Sequence, residues 1–308
     1  MIDFKTYEEQ LELLKSRNIV IENEEWAKNI LITNNYYNLI NAYKDIFLIK
    51  GHSPDIYIQG TTFDEIYALH QFDKELLHIL LRTLRIIERS IKAIISYEFT
   101  NAYKKHDRDY LNIYNFNEPA LPIECSKLIS ILNKTLQREI DDNNPMICHY
   151  YDVYHAVPLW VFSNVLTFGT ISKFYSLMRQ SEQVKIAHRL SDVTGHNIYV
   201  KDIENALKIL VLLRNKCAHD QRVFDFNFYP LSVSPQMSLL SKHKIKNVSH
   251  NLFGAFACIY LLVDDDQFKG FVYLFRNALS VLFNKIHSVP TKVIIDKMGI
   301  PLSFIQSL

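Results

Sequence analysis

The 308 residues carry 34 Lys and Arg against 33 Asp and Glu, a formal net charge of +1 at pH 7, and 48% of them are hydrophobic. That balance excludes an intrinsically disordered chain and a globally basic one, so any site for a polyanion has to be a local patch. With only 7 Gly and 9 Pro, tight turns are too few for a strand-rich architecture, and long periodic apolar runs predict an all-helical fold.

The 4 cysteines, Cys125, Cys148, Cys217 and Cys258, are scattered without a Cys-x2-Cys pair. Neither a zinc framework nor a disulfide scaffold is indicated, and a reducing compartment fits. The first residues lack the charged and apolar regions of a signal peptide, and the longest apolar stretches, such as 256–263, fall far short of a membrane span. A soluble, cytoplasmic protein is expected.

In chain order, residues 4–16 read as a first helix with Phe4, Tyr7, Leu11 and Leu14 on one face, and the acids of 21–26 open a second. Asn34-Asn35-Tyr36-Tyr37-Asn38-Leu39-Ile40-Asn41-Ala42-Tyr43 follows, where core packing is the bland reading of the tyrosines. Gly51 to Thr61 reads as a loop. Thr62-Phe63-Asp64-Glu65 then starts the longest helical pattern, running to about Lys105, with Leu76, Leu80, Leu84, Ile87, Ile91 and Ile95 on its buried face. Arg82, Arg85, Arg89 and Lys92 fall within roughly 80° of one another on another face, a basic stripe that is either solvated or an RNA contact. Glu88 lies between the two faces, in reach of Arg85 or Lys92.

Lys104 to Arg108 form a second basic cluster, 109–123 a connection and 124–142 a shorter helix. Cys148, His149, Asp152 and His155 include ligand types but no recognised metal-site spacing, so no metal is assigned. Pro158 suits a helix start, and Gly169 a close approach or a break. Residues 182–192 read as a helix, followed by a loop from Asp192 to Asn197. Beyond another periodic run, Phe224, Phe226 and Phe228 alternate with Asp225 and Asn227, which predicts an extended segment. A basic loop holds Lys242, Lys244 and Lys246, and two final helices, about 249–263 and 267–285, meet at Asp264-Asp265-Asp266, read as a helix cap.

The periodic run Ile203, Ala206, Leu207, Leu210 and Leu213 leads into Arg214-Asn215-Lys-Cys217-Ala218-His219-Asp-Gln-Arg222. Spacing alone proves little: Arg189 and His196 make a second, accidental pair, and an arginine and a histidine both suit the C-terminal end of a helix. The pattern resembles the Arg-x4–6-His signature of HEPN-type ribonucleases, and its wider wording resembles the Abi-like (AbiD/AbiF) abortive-infection family. Three further blocks resemble that family in the same order: the tyrosine block 36–43; Phe72-Asp73-Lys-Glu-Leu with Ile87-Glu88-Arg89-Ser90-Ile91-Lys92-Ala93; and Pro158-Leu-Trp160 with Phe168-Gly169-Thr170. Asn38 departs from it, because the family tends to carry Arg there.

The resemblance implies an all-α, HEPN-like helical bundle with additional N-terminal helices. The chain is read as one compact unit, with an N-terminal helical segment of 1–60 packed on a core of 61–285 that carries the Arg-x4-His motif, and a C-terminal tail of 286–308. It implies metal-independent endoribonuclease chemistry with no cofactor, His219 as acid and base, Arg214 on the phosphate and Asn215 orienting either. RNA contacts are expected at Arg82, Arg85, Arg89, Lys92, Arg222, Lys242, Lys244 and Lys246. A homodimer, and a small non-coding RNA as a second partner, are also implied. The alternative is a non-cleaving RNA-binding or scaffold protein of the same fold.

Overall fold

The computed structural model describes residues 4–103, 109–231, 239 and 250–306. Lys242, Lys244, Lys246 and the 104–108 cluster lie outside the described residues. Within them the chain is all helical, and its only β-pairings are isolated bridges such as Asn227 with Asn251.

The central element is a helix of 40 residues, Phe63–Ala102 (α3; α1 is Tyr7–Ser16 and α2 Glu24–Thr33). At 1.5 Å per residue it is about 60 Å long. A capping box starts it: Glu65 N–H donates to Thr62 Oγ1 at 3.1 Å and Thr62 N–H donates back to Glu65 at 3.0 Å. All six apolar residues expected on its inner face are buried, and each stabilises the fold by about 1.5–3 kcal/mol through burial alone.

The helices that follow are Pro122–Asp141 (α4), Pro145–Tyr154 (α5), Leu159–Phe162 (α6), Phe168–Leu177 (α7), Gln180–Thr194 (α8) and Val200–Ala218 (α9). Leu252–Leu262 (α10), Asp265–Phe283 (α11), Thr291–Met298 (α12) and Leu302–Gln306 (α13) complete the described elements. The α3 helix packs on α6, α8, α9, α10 and α11, and α9 also packs on α7 and α10. One hydrophobic core runs from Leu11 to Phe304. The last segment, read as a tail, contributes Ile294, Ile295, Met298 and Phe304 to that core. Ahead of it, Ser288 N–H donates at 2.6 Å to Glu65, at the start of α3.

Several local readings change. Phe4 is 88% exposed and the first helix starts only at Tyr7, because Thr6 caps it; Leu11 and Leu14 alone are its buried residues. The stretch around Cys148 and His149 is a helix, opened by Pro145 behind the Asn144 cap. The 182–192 helix extends to Thr194 and ends at Gly195, whose φ of 76° is the left-handed cap conformation. After α9, Phe224, Phe226 and Phe228 are all buried as the alternation demands. Yet Phe226 N–H donates to Val223 O at 2.9 Å, so the segment turns instead of pairing as a strand. Asp264 caps α11 by accepting from Gln267 N–H at 2.8 Å, and Gly169 sits in the first turn of α7, where an added Cβ would lie 3.7 Å from Val211 of α9.

Candidate functional site

The run into Arg214 is a helix because its apolar residues Ile203, Ala206, Leu207, Leu210 and Leu213 bury one continuous face. The helix stops at Ala218, and His219 is its C-cap residue. Asp220 takes φ 52°, its N–H donates to Cys217 O at 3.3 Å, and Gln221 N–H donates to Lys216 O at 3.0 Å. This bond pair is a Schellman turn, with aspartate where glycine is usual. Lys74 of α3 secures it, donating to the Asp220 carbonyl at 3.0 Å and pairing with its carboxylate at 2.7 Å.

Below the turn lies Asp73, fully buried. Its carboxylate accepts from Tyr43 Oη at 2.7 Å, Val223 N–H at 3.0 Å and Phe224 N–H at 2.6 Å. Burial dominates its protonation and pushes its pKa up to about 6, against the opposing pull of those donors. Burial first, then the charge of Asp73 and the bond to it, raises the Tyr43 hydroxyl well above its ordinary range. Asp73 therefore ties three distant segments together: the tyrosine block, α3 and the chain following the Schellman turn.

The surface above this hub is a polar cleft of about 880 Å³, lined by Asn38, Asn41, His70, Lys74, His219 and Arg222 among others. Asn38, the departure noted in the tyrosine block, thus faces the same cleft as His219. His70 and Lys74 join it from one turn of α3; Lys74 stands in the Phe72-Asp73-Lys-Glu-Leu block, but sequence reasoning gave neither residue a place in the site. His70 packs between Tyr43 and Tyr67 at 5.5 and 6.0 Å between ring centres. Burial first, then the Lys74 charge, lowers its pKa to about 4, so it is neutral at physiological pH.

Arg222 lines the cleft, but its guanidinium is engaged inside the chain: it donates to the Ala42 carbonyl, meets Asp225 at 2.5 Å and lies 5.5 Å from the Phe224 ring centre. It fastens the tyrosine block to the segment after His219. Cys217 is buried behind the turn, and burial, with the nearby Asp73 charge, raises its thiol to about 12, which fits a packing role.

Arg214 goes elsewhere. Its Nε lies 3.5 Å from Glu88 of α3, and Glu88 also pairs with Lys92 at 3.0 Å. Among the described residues, Arg214 does not line the His219 cleft. Five residues apart at the end of α9, the two motif residues lie about 7.5 Å apart along its axis and about 140° apart around it, so they point in different directions. Asn215 is exposed; it lies one turn before His219 on the same side of α9, and its backbone carbonyl accepts from His219 N–H at 3.1 Å.

Of the basic stripe, Arg82, Arg85 and Arg89 are exposed while Lys92 is mostly covered and paired with Glu88. In the accidental pair, Arg189 is bound to Glu98 and lies over the Tyr97 ring, and His196 packs 4.3 Å from Tyr260, ring centre to ring centre. Among the described residues no three His, Cys, Asp or Glu side chains converge as a metal site would require, and no helix is long and apolar enough to cross a membrane.

Fold and cleft together define an all-helical protein in which a histidine at the end of a core helix faces a polar, amide-rich cleft. The chain belongs to the Abi-like protein family, whose sequence profile matches residues 29–225. That span opens just before the tyrosine block and closes on Asp225, the partner of Arg222. No curated protein and no solved structure matches the chain significantly.

Proposed function

We propose that this protein acts in abortive infection, the defence in which an infected bacterial cell arrests or dies, as a HEPN-type endoribonuclease that needs no metal. The observation that supports this reading is the position of His219: a Schellman turn, fastened by Lys74 and followed by a segment anchored on Asp73, presents it to a polar cleft that residues of the tyrosine block also line.

In the reaction, a ribose 2′-hydroxyl passes its proton to a neutral imidazole as its oxygen bonds to the neighbouring phosphorus. The bond from phosphorus to the 5′-oxygen breaks, and that oxygen takes a proton from an imidazolium. A 2′,3′-cyclic phosphate and a free 5′-hydroxyl result. Histidine suits both transfers because it exchanges protons near neutral pH. The planar guanidinium of Arg214 would donate to the phosphate oxygens as charge builds on them. Asn215 would orient His219 or a phosphate oxygen.

Because one chain directs Arg214 and His219 to different places, a complete site in this reading comes from two copies related by a two-fold axis. The same separation favours a second reading, a non-cleaving protein of this fold that binds a small non-coding RNA. Sequencing of RNA copurified with wild-type and His219→Ala protein, with end-group analysis, tests the two. Cyclic-phosphate ends that vanish in the variant, persist in chelator and fail to form at a 2′-deoxy position support cleavage. RNA recovered uncut and identical from both proteins supports the second reading.

A further inference from the structure

A second groove, of about 800 Å³, runs along the other half of α3 and is closed on its far side by α6. Its lining includes Arg85, Arg89 and Tyr97 from α3, and Trp160, Ser163 and Asn164 from α6 and the residues just after it. The α3 residues fall three or four positions apart from 85 to 100, so they form one strip about 22 Å long.

Two features set this strip apart from an ordinary solvated face. First, both aromatic rings are open: Trp160 is 51% exposed and Tyr97 58% exposed, although the chain has only 2 tryptophans and a continuous core to receive them. Trp26, by contrast, is packed edge-on against Phe63 and Tyr67. Second, the charge is one-sided. Glu88 is the carboxylate in the lining, and it is occupied by Lys92 at 3.0 Å and Arg214 at 3.5 Å. Arg85 and Arg89 are exposed guanidinia on the same wall, a group that pairs with phosphate in a planar fork. Arg189 already lies 4.8 Å from the Tyr97 ring centre, so a base added to that ring would extend a cation–aromatic stack.

Resting on the RNA reading above, we infer that this groove is a binding site for single-stranded RNA in which Trp160 and Tyr97 stack unpaired bases and Arg85 and Arg89 hold the phosphates. Aromatic platforms with flanking cations recognise unpaired bases, because the bases of a duplex already stack on one another. Glu88 joins the groove wall to Arg214 at 3.5 Å, so one end of the strip borders the motif arginine.

The test uses the intact chain and a short unstructured oligoribonucleotide, 2′-O-methylated throughout so that it cannot be cleaved, with a terminal fluorescein for anisotropy. Single-stranded RNA should quench indole emission of the wild type. Trp160→Phe should abolish that quenching yet bind nearly as tightly, and Trp160→Ala should bind about five- to hundredfold more weakly. Because Trp160 is half exposed, both variants should keep the wild-type helical circular dichroism, and the phenylalanine variant carries the argument if the alanine one does not.

Equal quenching by an RNA duplex, or binding indifferent to Trp160→Ala and Tyr97→Ala, overturns the site. So does saturable quenching by an acidic or proline-rich peptide with none by RNA. Cleavage is read separately on an unmethylated strand. Cleavage with unchanged KM in Trp160→Ala overturns the groove and leaves the His219 reading standing. Quenching by RNA without any cleavage by the wild type does the reverse.

Discussion

Asp73 accepts the backbone N–H of Phe224 at 2.6 Å across 151 residues of sequence. With the Val223 and Tyr43 bonds to the same carboxylate, this contact fixes where the chain goes after His219. His219 is therefore positioned from both sides, by the helix before it and the anchored segment behind it.

Asp73→Ala should destabilise the protein by about 3–5 kcal/mol, because buried backbone and hydroxyl donors lose their acceptor. Asp73→Asn should cost much less, since its amide oxygen can accept from both N–H groups while its NH2 donates to Tyr43. The pair also predicts a pH effect. Burial raises the folded pKa of Asp73 to about 6, above the ordinary aspartate value of about 3.9. Between those values the native state holds a proton that the unfolded chain has released. The stability this site contributes is thus complete below about pH 4 and falls by on the order of 2–3 kcal/mol as pH rises through 6. Urea unfolding from pH 4 to 7 should show this slope in the wild type relative to Asp73→Asn; parallel curves would refute it.

His219→Ala and Arg214→Ala should each abolish RNA cleavage and cellular toxicity while the protein stays folded. His219 is exposed, and the Arg214–Glu88 contact at 3.5 Å is partly solvated, worth no more than about 1 kcal/mol. His196→Ala supplies the control, because His196 packs on Tyr260 away from the cleft. Cleavage assays with circular dichroism decide it, and an inactive His196→Ala enzyme with native helicity would mean that the wrong pair was chosen.

Replacing Arg82, Arg85 and Arg89 together by glutamine should weaken RNA binding and flatten its dependence on salt, by about one unit of slope for each phosphate no longer neutralised. Lys92→Gln should do less, because Lys92 is already paired with Glu88 at 3.0 Å. Anisotropy titrations at several salt concentrations would return the stripe to an ordinary solvated face if affinity and slope stayed put.

Cleavage should depend on protein concentration. Five residues along one helix place Arg214 and His219 about 140° apart, and the helix persists to Ala218. Sedimentation through a dilution series, with cleavage measured at each step, should show activity falling as dimer dissociates. Full specific activity in a species shown to be monomeric ends the composite-site idea.

The sequence by itself determined what depends on neighbours along the chain. Periodicity marked α3 and its six inward apolar residues, Thr62 and Glu65 marked its start, and the Abi-like family profile matches residues 29–225. Cap chemistry and a repeat of 3.6 are local, so they are written in consecutive residues. Tertiary structure alone decided that Tyr43, Asp73 and Phe224 share one carboxylate, that Lys74 holds the Asp220 turn, and that Arg222 is engaged by Ala42 and Asp225. It also decided which side chains after Phe283 enter the core, among them Ile294, Met298 and Phe304. A buried carboxylate needs donors from wherever the chain can bring them, and no spacing rule specifies which distant N–H groups will answer. Arg214 and His219 show the same limit at the site itself. Their spacing is legible at once, whereas the neighbours that each one meets, Glu88 for Arg214 and the cleft beside Lys74 for His219, arise from how α9 packs on α3.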